Sequence, residues 1–181
     1  MELQYLRKIL AKGFSVLVLL TLFQQVQAGN LDDPTIFAIF DEVNTMDIWT
    51  ARLAAQKGST EEIRALGRKV ASDHEAVQSM ARALASKLGI VPTPPVTDES
   101  AAQLSSTIAM LQSKAGKEFD RAYLLHEADF HANAINAVNT VLLPALKNEE
   151  FKKLIQKVAP GFASHLKATR GMAVKRGYLQ Q

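Results

Sequence analysis

Long segments in which apolar residues recur every three or four positions limit the folds open to this chain more than any other feature. Residues 34–57, 59–88, 117–143 and 148–176 show this spacing, and residues 98–114 show it over a shorter length. Apolar residues at that period line one face of an α-helix, whereas a half-buried strand needs strict alternation, which is absent. The spacing therefore predicts an all-α protein with four long helices and one short helix.

Glycine and proline residues mark where these helices begin and end. Pro34 suits the first turn of a helix capped by Asp32 or Asp33, and Gly58 and Gly89 suit the ends of the first two helices. Three prolines within residues 90–97 predict a rigid crossover loop. The sequence further predicts a kink or end at Pro144, a kink at Pro160 within the last helix, and closure as an antiparallel bundle.

The first 28 residues resemble a signal peptide. Arg7, Lys8 and Lys12 precede a predominantly apolar segment of ten residues, 14–23, and a small-x-small pattern ends at Ala28. Ten residues span about 15 Å as a helix, roughly half of a bilayer core, so we expect cleavage after Ala28 and no integral membrane span thereafter. We then expect residues 29–181 to form one helical-bundle domain that works outside the cytoplasm.

Charge and cysteine content exclude several classes of function. The formal net charge is +3, and it falls to +1 without the signal peptide, so we expect no nucleic-acid partner. The chain has no cysteine, which excludes disulfides, thiolate metal sites and thioether-linked haem. Histidine, aspartate, glutamate or backbone groups must therefore hold any metal ion.

All four histidines fall on or beside the apolar face of a predicted helix. His74, His126 and His165 lie within the apolar faces of three different long helices, and His131 lies on a line next to that of His126. Asp47 lies on the apolar face of the first helix. Buried polar groups are costly unless they find partners, and a shared metal ion would supply one.

Three interpretations of these inward-facing groups stay open. The first is a non-enzymatic protein that binds a transition metal, zinc or copper, through His74, His126 and His165, with Asp47 or His131 completing the ligand set. The second is a structural or partner-binding envelope protein in which the histidines only form hydrogen bonds within the core. The third is an oxidoreductase that uses the same site, with an open position created by the proline kink near His165.

Familiar enzyme motifs are absent from the sequence. His126 and His131 are five residues apart and not the four of the zinc-protease motif, so their rings point about 140° apart on a helix. The Glu-x-x-His pairs of di-iron bundles, Gly-rich phosphate loops and the GxSxG turn do not occur.

Several short motifs resemble a known bacterial family in their order along the chain. They are Leu53-Ala-Ala-Gln-Lys-Gly58, Glu61-Glu-Ile-Arg64, Ser72-Asp73-His74, Leu88-Gly89, Gly116-Lys-Glu-Phe-Asp-Arg-Ala-Tyr123, His126, His131 and the segment from Pro160 to Leu166 that carries His165. Together they resemble the exported proteins grouped as domain of unknown function 4142, often labelled outer membrane proteins, over about residues 33–173. The resemblance implies a ferritin-like four-helix bundle in the periplasm or envelope, with no assigned reaction.

Overall fold

A computed structural model describes residues 31–180, and the regular elements within them are all helical. The five helices are α1 (Asp33–Lys57), α2 (Glu61–Leu88), α3 (Ser100–Gln112), α4 (Gly116–Ala137) and α5 (Glu149–Lys175). A π-helical turn, Val138–Leu142, and a short helical turn, Leu143–Ala145, connect α4 to α5. The all-α prediction is confirmed, whereas the predicted signal peptide lies outside the described residues.

The ends of α1 and α2 follow the predicted capping residues. The Asp32 carboxylate accepts a hydrogen bond from the Thr35 N–H at 2.9 Å, and Pro34 occupies the first turn of α1. The Thr60 hydroxyl caps α2, which ends where Gly89 adopts the left-handed conformation at φ 66°. These ends leave few backbone groups of the two helices without partners.

The end of α4 differs from the prediction of a continuous helix to residue 143. The α-helical pattern stops at Ala137, and Leu143 donates its N–H to the carbonyl of Val138, five residues earlier. Pro144 follows directly, in the first turn of the short helical turn Leu143–Ala145, where its missing N–H costs little. The chain therefore widens into one π-helical turn before it reaches α5.

The last helix passes through Pro160 without a break in its helical assignment. Pro160 and Gly161 are both exposed, so the proline ring faces solvent and not the neighbouring helices. The carbonyl of Gln156 loses its usual N–H partner because Pro160 has none to donate. This carbonyl lies on the solvent-exposed side of the helix, where a water molecule can donate to it.

The four long helices pack in two pairs that also contact each other. α1 packs along α2 and α4 along α5, while α1 also contacts α4 and α2 contacts α5; α3 lies against α1 and α4. Gly67 permits the close approach of α1 and α2, because a Cβ atom there would lie 2.6 Å from the Ala51 carbonyl oxygen. None of the helices in the described part of the chain is long and apolar enough to cross a membrane.

Two apolar clusters fill the interior, and a layer of polar residues separates them. One cluster contains Phe37, Phe40, Phe151 and Phe162; the other contains Ile63, Leu111, Phe119 and Tyr123. The polar layer between them consists of side chains that are at most 4 % exposed: Asn44, Asp47 and Thr50 of α1, His74 of α2, Glu127 and His131 of α4, and His165 and Thr169 of α5. All four long helices thus contribute polar groups at the middle of the bundle.

Candidate metal centre

His74 is held by an amide whose own orientation is fixed. The Asn44 side-chain N–H donates to the Phe40 carbonyl at 2.7 Å, which leaves its Oδ1 facing Nδ1 of His74 at 2.9 Å. Phe162 stacks on the imidazole with ring centroids 5.0 Å apart. Nδ1 of His74 must therefore donate to Asn44, and Nε2 is directed at Oδ2 of Asp47, 2.9 Å away.

His131 is oriented in the same way by a backbone carbonyl. Its Nδ1 lies 3.2 Å from the carbonyl oxygen of Glu127, one helical turn earlier on α4. A carbonyl can only accept, so Nδ1 carries the hydrogen atom. Nε2 of His131 then points inward, 3.3 Å from Oδ2 of Asp47, and has no hydrogen-bond partner among the described residues.

His165 links the interior to the surface of the bundle. Its Nε2 lies 2.8 Å from Oδ2 of Asp73, a half-buried carboxylate that also pairs with Lys69. Its Nδ1 lies 3.3 Å from Nε2 of His74. Because a carboxylate can only accept, His165 carries its hydrogen on Nε2 and presents the Nδ1 lone pair to the interior.

The three imidazoles form a nearly equilateral group around one point. Their ring centroids lie 5.4 Å apart for His74 and His131, and 5.3 Å apart for each of the other two pairs. One ring nitrogen from each of them lies within 4.8 Å of the others, close enough for all three to bind a single ion. An open groove between α2 and α5 reaches this group from solvent, and its lining includes His165 and Asp73.

Asp47 is the anionic member of the group. Its side chain is fully buried, and although His74 Nε2 is only 2.9 Å away, neither carboxylate oxygen accepts a well-directed hydrogen bond from the described residues. Burial raises the pKa of Asp47, but His74 and His131 lower it by more, so the net pKa lies below the ordinary value. The carboxylate is therefore ionised at neutral pH, and the protons available to it are those of the two imidazoles and of Glu127, whose side chain pairs with it.

Two of the neighbouring histidines, His131 and His165, have pKa values below the ordinary value for histidine. Burial lowers the pKa of His131, and burial also lowers that of His165 despite the opposing effect of Asp73. Neutral imidazole is the form that binds metals, because the protonated ring has no free lone pair. Burial of His131 and His165 thus favours the form of each ring that can offer a lone pair to a cation.

Glu127 is a buried polar residue next to this group that the sequence analysis missed. It is 0 % exposed, and its Oε1 lies 3.4 Å from Nδ1 of His131. Burial and the nearby Asp47 charge raise the pKa of Glu127 well above its usual range, which favours the protonated carboxyl. A line of residues at i, i+4 spacing, Tyr123, Glu127 and His131, was the signal that could have located it.

His126 is the one predicted ligand that the structure does not bring together with the others. Its ring is half-buried beside Phe130, with ring centroids 5.8 Å apart, and no nitrogen of it joins the two groups of ligand atoms that the described residues form. Burial lowers the pKa of His126 to about 4. Asp47, His74, His131 and His165, in contrast, lie close together.

A sequence profile places the chain among proteins of unassigned activity. The profile of the family described as "Domain of unknown function (DUF4142)" matches residues 21–172. No curated protein and no solved structure matches the chain.

Proposed function

We propose a metal-binding function for this chain, which belongs to the DUF4142 family. One transition-metal ion, zinc or copper, would be bound by Nε2 of His74, Nε2 of His131, Nδ1 of His165 and a carboxylate oxygen of Asp47. Imidazole-rich sites suit these two metals, whereas calcium and magnesium need oxygen ligands. The proposed set replaces His126 with His131, because only the latter faces the other ligands.

The convergence of lone pairs is the observation that carries this proposal. Each of the three histidines has one ring nitrogen committed to a group that can only accept: Oδ1 of Asn44, the Glu127 carbonyl and the Asp73 carboxylate. A neutral imidazole has only one N–H, so the other nitrogen of each ring presents a lone pair. Three lone pairs and an ionised carboxylate then face one another, which is repulsive unless a cation lies between them. Outer hydrogen bonds of this kind are what orient metal-binding histidines.

The distances between the ligand atoms also suit a single ion. Zinc bound tetrahedrally at about 2.0–2.1 Å separates neighbouring ligand atoms by about 3.3–3.4 Å. The His131 Nε2–Asp47 Oδ2 and His165 Nδ1–His74 Nε2 distances are both 3.3 Å, and the His74 Nε2–Asp47 Oδ2 distance is 2.9 Å. Small side-chain rotations would therefore complete the coordination sphere.

A structural role with no metal explains the arrangement less well. One extra proton on His74 would satisfy Asp47 and Asn44 together. Nε2 of His131 would still direct its lone pair at the Asp47 carboxylate 3.3 Å away, and both groups would stay buried. An unsatisfied buried polar group costs about 1–3 kcal/mol, so this interpretation retains a penalty that a cation removes.

We also propose a ferritin-like antiparallel arrangement of the four long helices and an extracytoplasmic location. The pairing of α1 with α2 and of α4 with α5, with further contacts between the pairs, supports the first. The basic N-terminal residues, the predominantly apolar segment 14–23 after them and the pattern ending at Ala28 support the second. In such a compartment a site without thiolates avoids oxidative loss of its ligands.

Two histidines of the same helix provide a matched test of the metal site. We expect purified protein lacking residues 1–28 to bind one zinc or copper ion per chain by elemental analysis and calorimetry. His131→Ala should abolish stoichiometric binding, whereas His126→Ala should keep one ion per chain. Full retention of the metal by His131→Ala, or its loss only in His126→Ala, would contradict the proposed ligand set.

A further inference from the structure

A small cavity lies against the inner side of the candidate metal centre. Asp47, His74 and His131 border it, whereas His165 does not. The groove that reaches solvent has His165 and Asp73 in its lining, so the cavity and the groove meet different ligands of the same group. The cavity and the groove therefore lie on different sides of the centre, and we call the side next to the cavity its inner side.

The walls of this cavity are apolar in spite of the polar residues beside it. Phe40, Phe130, Ala134 and Phe162 line it, and the polar atoms of the bordering residues contribute almost none of its surface. A water molecule needs two to four polar partners to remain in such a space, so water is a poor occupant. The surface favours a small molecule without charge or strong hydrogen-bonding groups.

The size of the cavity restricts that molecule further. The centre of a water-sized sphere can move through about 20 Å³ of it, and a single such sphere needs about 10–15 Å³. One diatomic molecule fits, whereas an organic substrate does not. Typical pockets for organic ligands measure about 300–1,000 Å³.

The π-helical turn supplies part of the cavity wall. Val138 and Leu142, its first and last residues, both line the space, and Ala134 lies one turn earlier. A π-helical turn inserts one residue and displaces the side chains that follow it, and such turns are frequent at functional sites. The irregular end of α4 is thus located where it shapes the inner side of the centre.

We infer that this cavity binds one small uncharged diatomic molecule, such as dioxygen, nitric oxide or carbon monoxide, against the inner face of the centre. Contact between the bound molecule and a metal ion rests on the proposed function. Binding of the molecule in the cavity does not depend on metal and can be measured on metal-free protein.

Xenon tests the cavity on metal-free protein. We expect xenon under pressure to shift the imidazole ¹⁵N and ¹H resonances of His74 and His131 saturably, and to leave those of His126 unchanged. Ala134→Met should abolish the shifts by filling the space, and Val138→Ile, a milder change, should weaken them. Ala132→Met, on the same helix but outside the lining, should leave them intact. Absence of saturable shifts, or shifts that persist in a folded Ala134→Met protein, would overturn the inference.

Carbon monoxide tests whether the occupant meets the metal. Cu(I) prefers soft and imidazole ligands to carboxylate, so carbon monoxide would take the position of the Asp47 carboxylate next to the cavity. With protein loaded with Cu(I), we expect a bound C–O band in the infrared spectrum that is lost in Ala134→Met and kept in Ala132→Met, at equal copper content. A band of equal intensity in both variants, or no band on copper-loaded native protein, would show that the cavity does not face the ion. A protein that binds no copper would refute the metal proposal for copper and leave xenon to decide the cavity.

Discussion

His126 should make the protein sensitive to mild acid although it binds no metal in our proposal. Its folded-state pKa of about 4 lies below the ordinary value of 6.5 because the ring is buried. Between these two pH values His126 is protonated in the unfolded chain and unprotonated in the folded chain. The free energy of unfolding therefore falls as the pH falls through this window.

The structure sets the size of the effect. Linkage between these two pKa values gives a loss of about 2 kcal/mol between pH 7 and pH 5 from this one residue. Solvent reaches part of the half-buried ring, so a loss of about 1–2 kcal/mol is the expected range. His126→Gln has no proton to gain, and its stability should fall by that much less over the same interval.

The assay is urea unfolding of both proteins at several pH values with a chelator present, so that metal binding does not contribute. Groups common to both proteins cancel in the comparison, since only the difference between the two pH dependences is used. An unchanged pH dependence in His126→Gln would refute the reasoning, because it would mean that His126 is protonated as easily in the folded chain as in the unfolded one.

Three other substitutions give distinct outcomes. Burial and the Asp98 carboxyl raise the pKa of half-buried Glu42 from 4.5 to about 7, so stability falls as the pH rises from about 4.5 to about 7. Glu42→Gln should therefore raise the unfolding free energy by about 1 kcal/mol at pH 8 and leave it unchanged at pH 4, by urea titration. Asp73→Asn weakens the acceptor that orients His165 and should reduce metal affinity about 10–100-fold in calorimetry, with little change in melting temperature. Glu127→Gln keeps the shape and neutrality of a protonated carboxyl, so metal affinity should change less than about threefold; a loss above tenfold would identify Glu127 as an ionised ligand.

The helices were largely predictable because their signals are local. Capping by Asp32 and the end of α2 at Gly89 depend on residues within one or two turns, and the structure confirms both. The π-helical turn was not predictable in this way, because the apolar spacing before Pro144 is equally compatible with a continuous α-helix. The π-helical turn is defined by a hydrogen bond between individual backbone groups, and the spacing of apolar residues does not indicate which backbone groups will pair.

The sequence indicated that histidines would lie in the interior, but not which of them would face one another in the candidate site. Periodicity placed all the histidines near the interior, yet His126 and His131 differ by five residues and so by about 140° around α4. Which of the two faces the other helices depends on how α4 is rotated in the bundle, and packing against three neighbours sets that rotation. Glu127 escaped notice for the same reason, since its face of α4 became identifiable only when His131 was located.

The identity of the free ring nitrogens depends on groups from several parts of the chain, and it is the step that converts a buried polar layer into a candidate metal centre. Asn44 of α1 fixes His74 of α2, and Asp73 of α2 fixes His165 of α5, so partners on one helix orient ligands on another. Apolar side chains in this layer would join the two apolar clusters without any desolvation cost. The layer therefore weakens the metal-free bundle at its middle, and a bound cation would offset that cost by linking α1, α2, α4 and α5 through one ion.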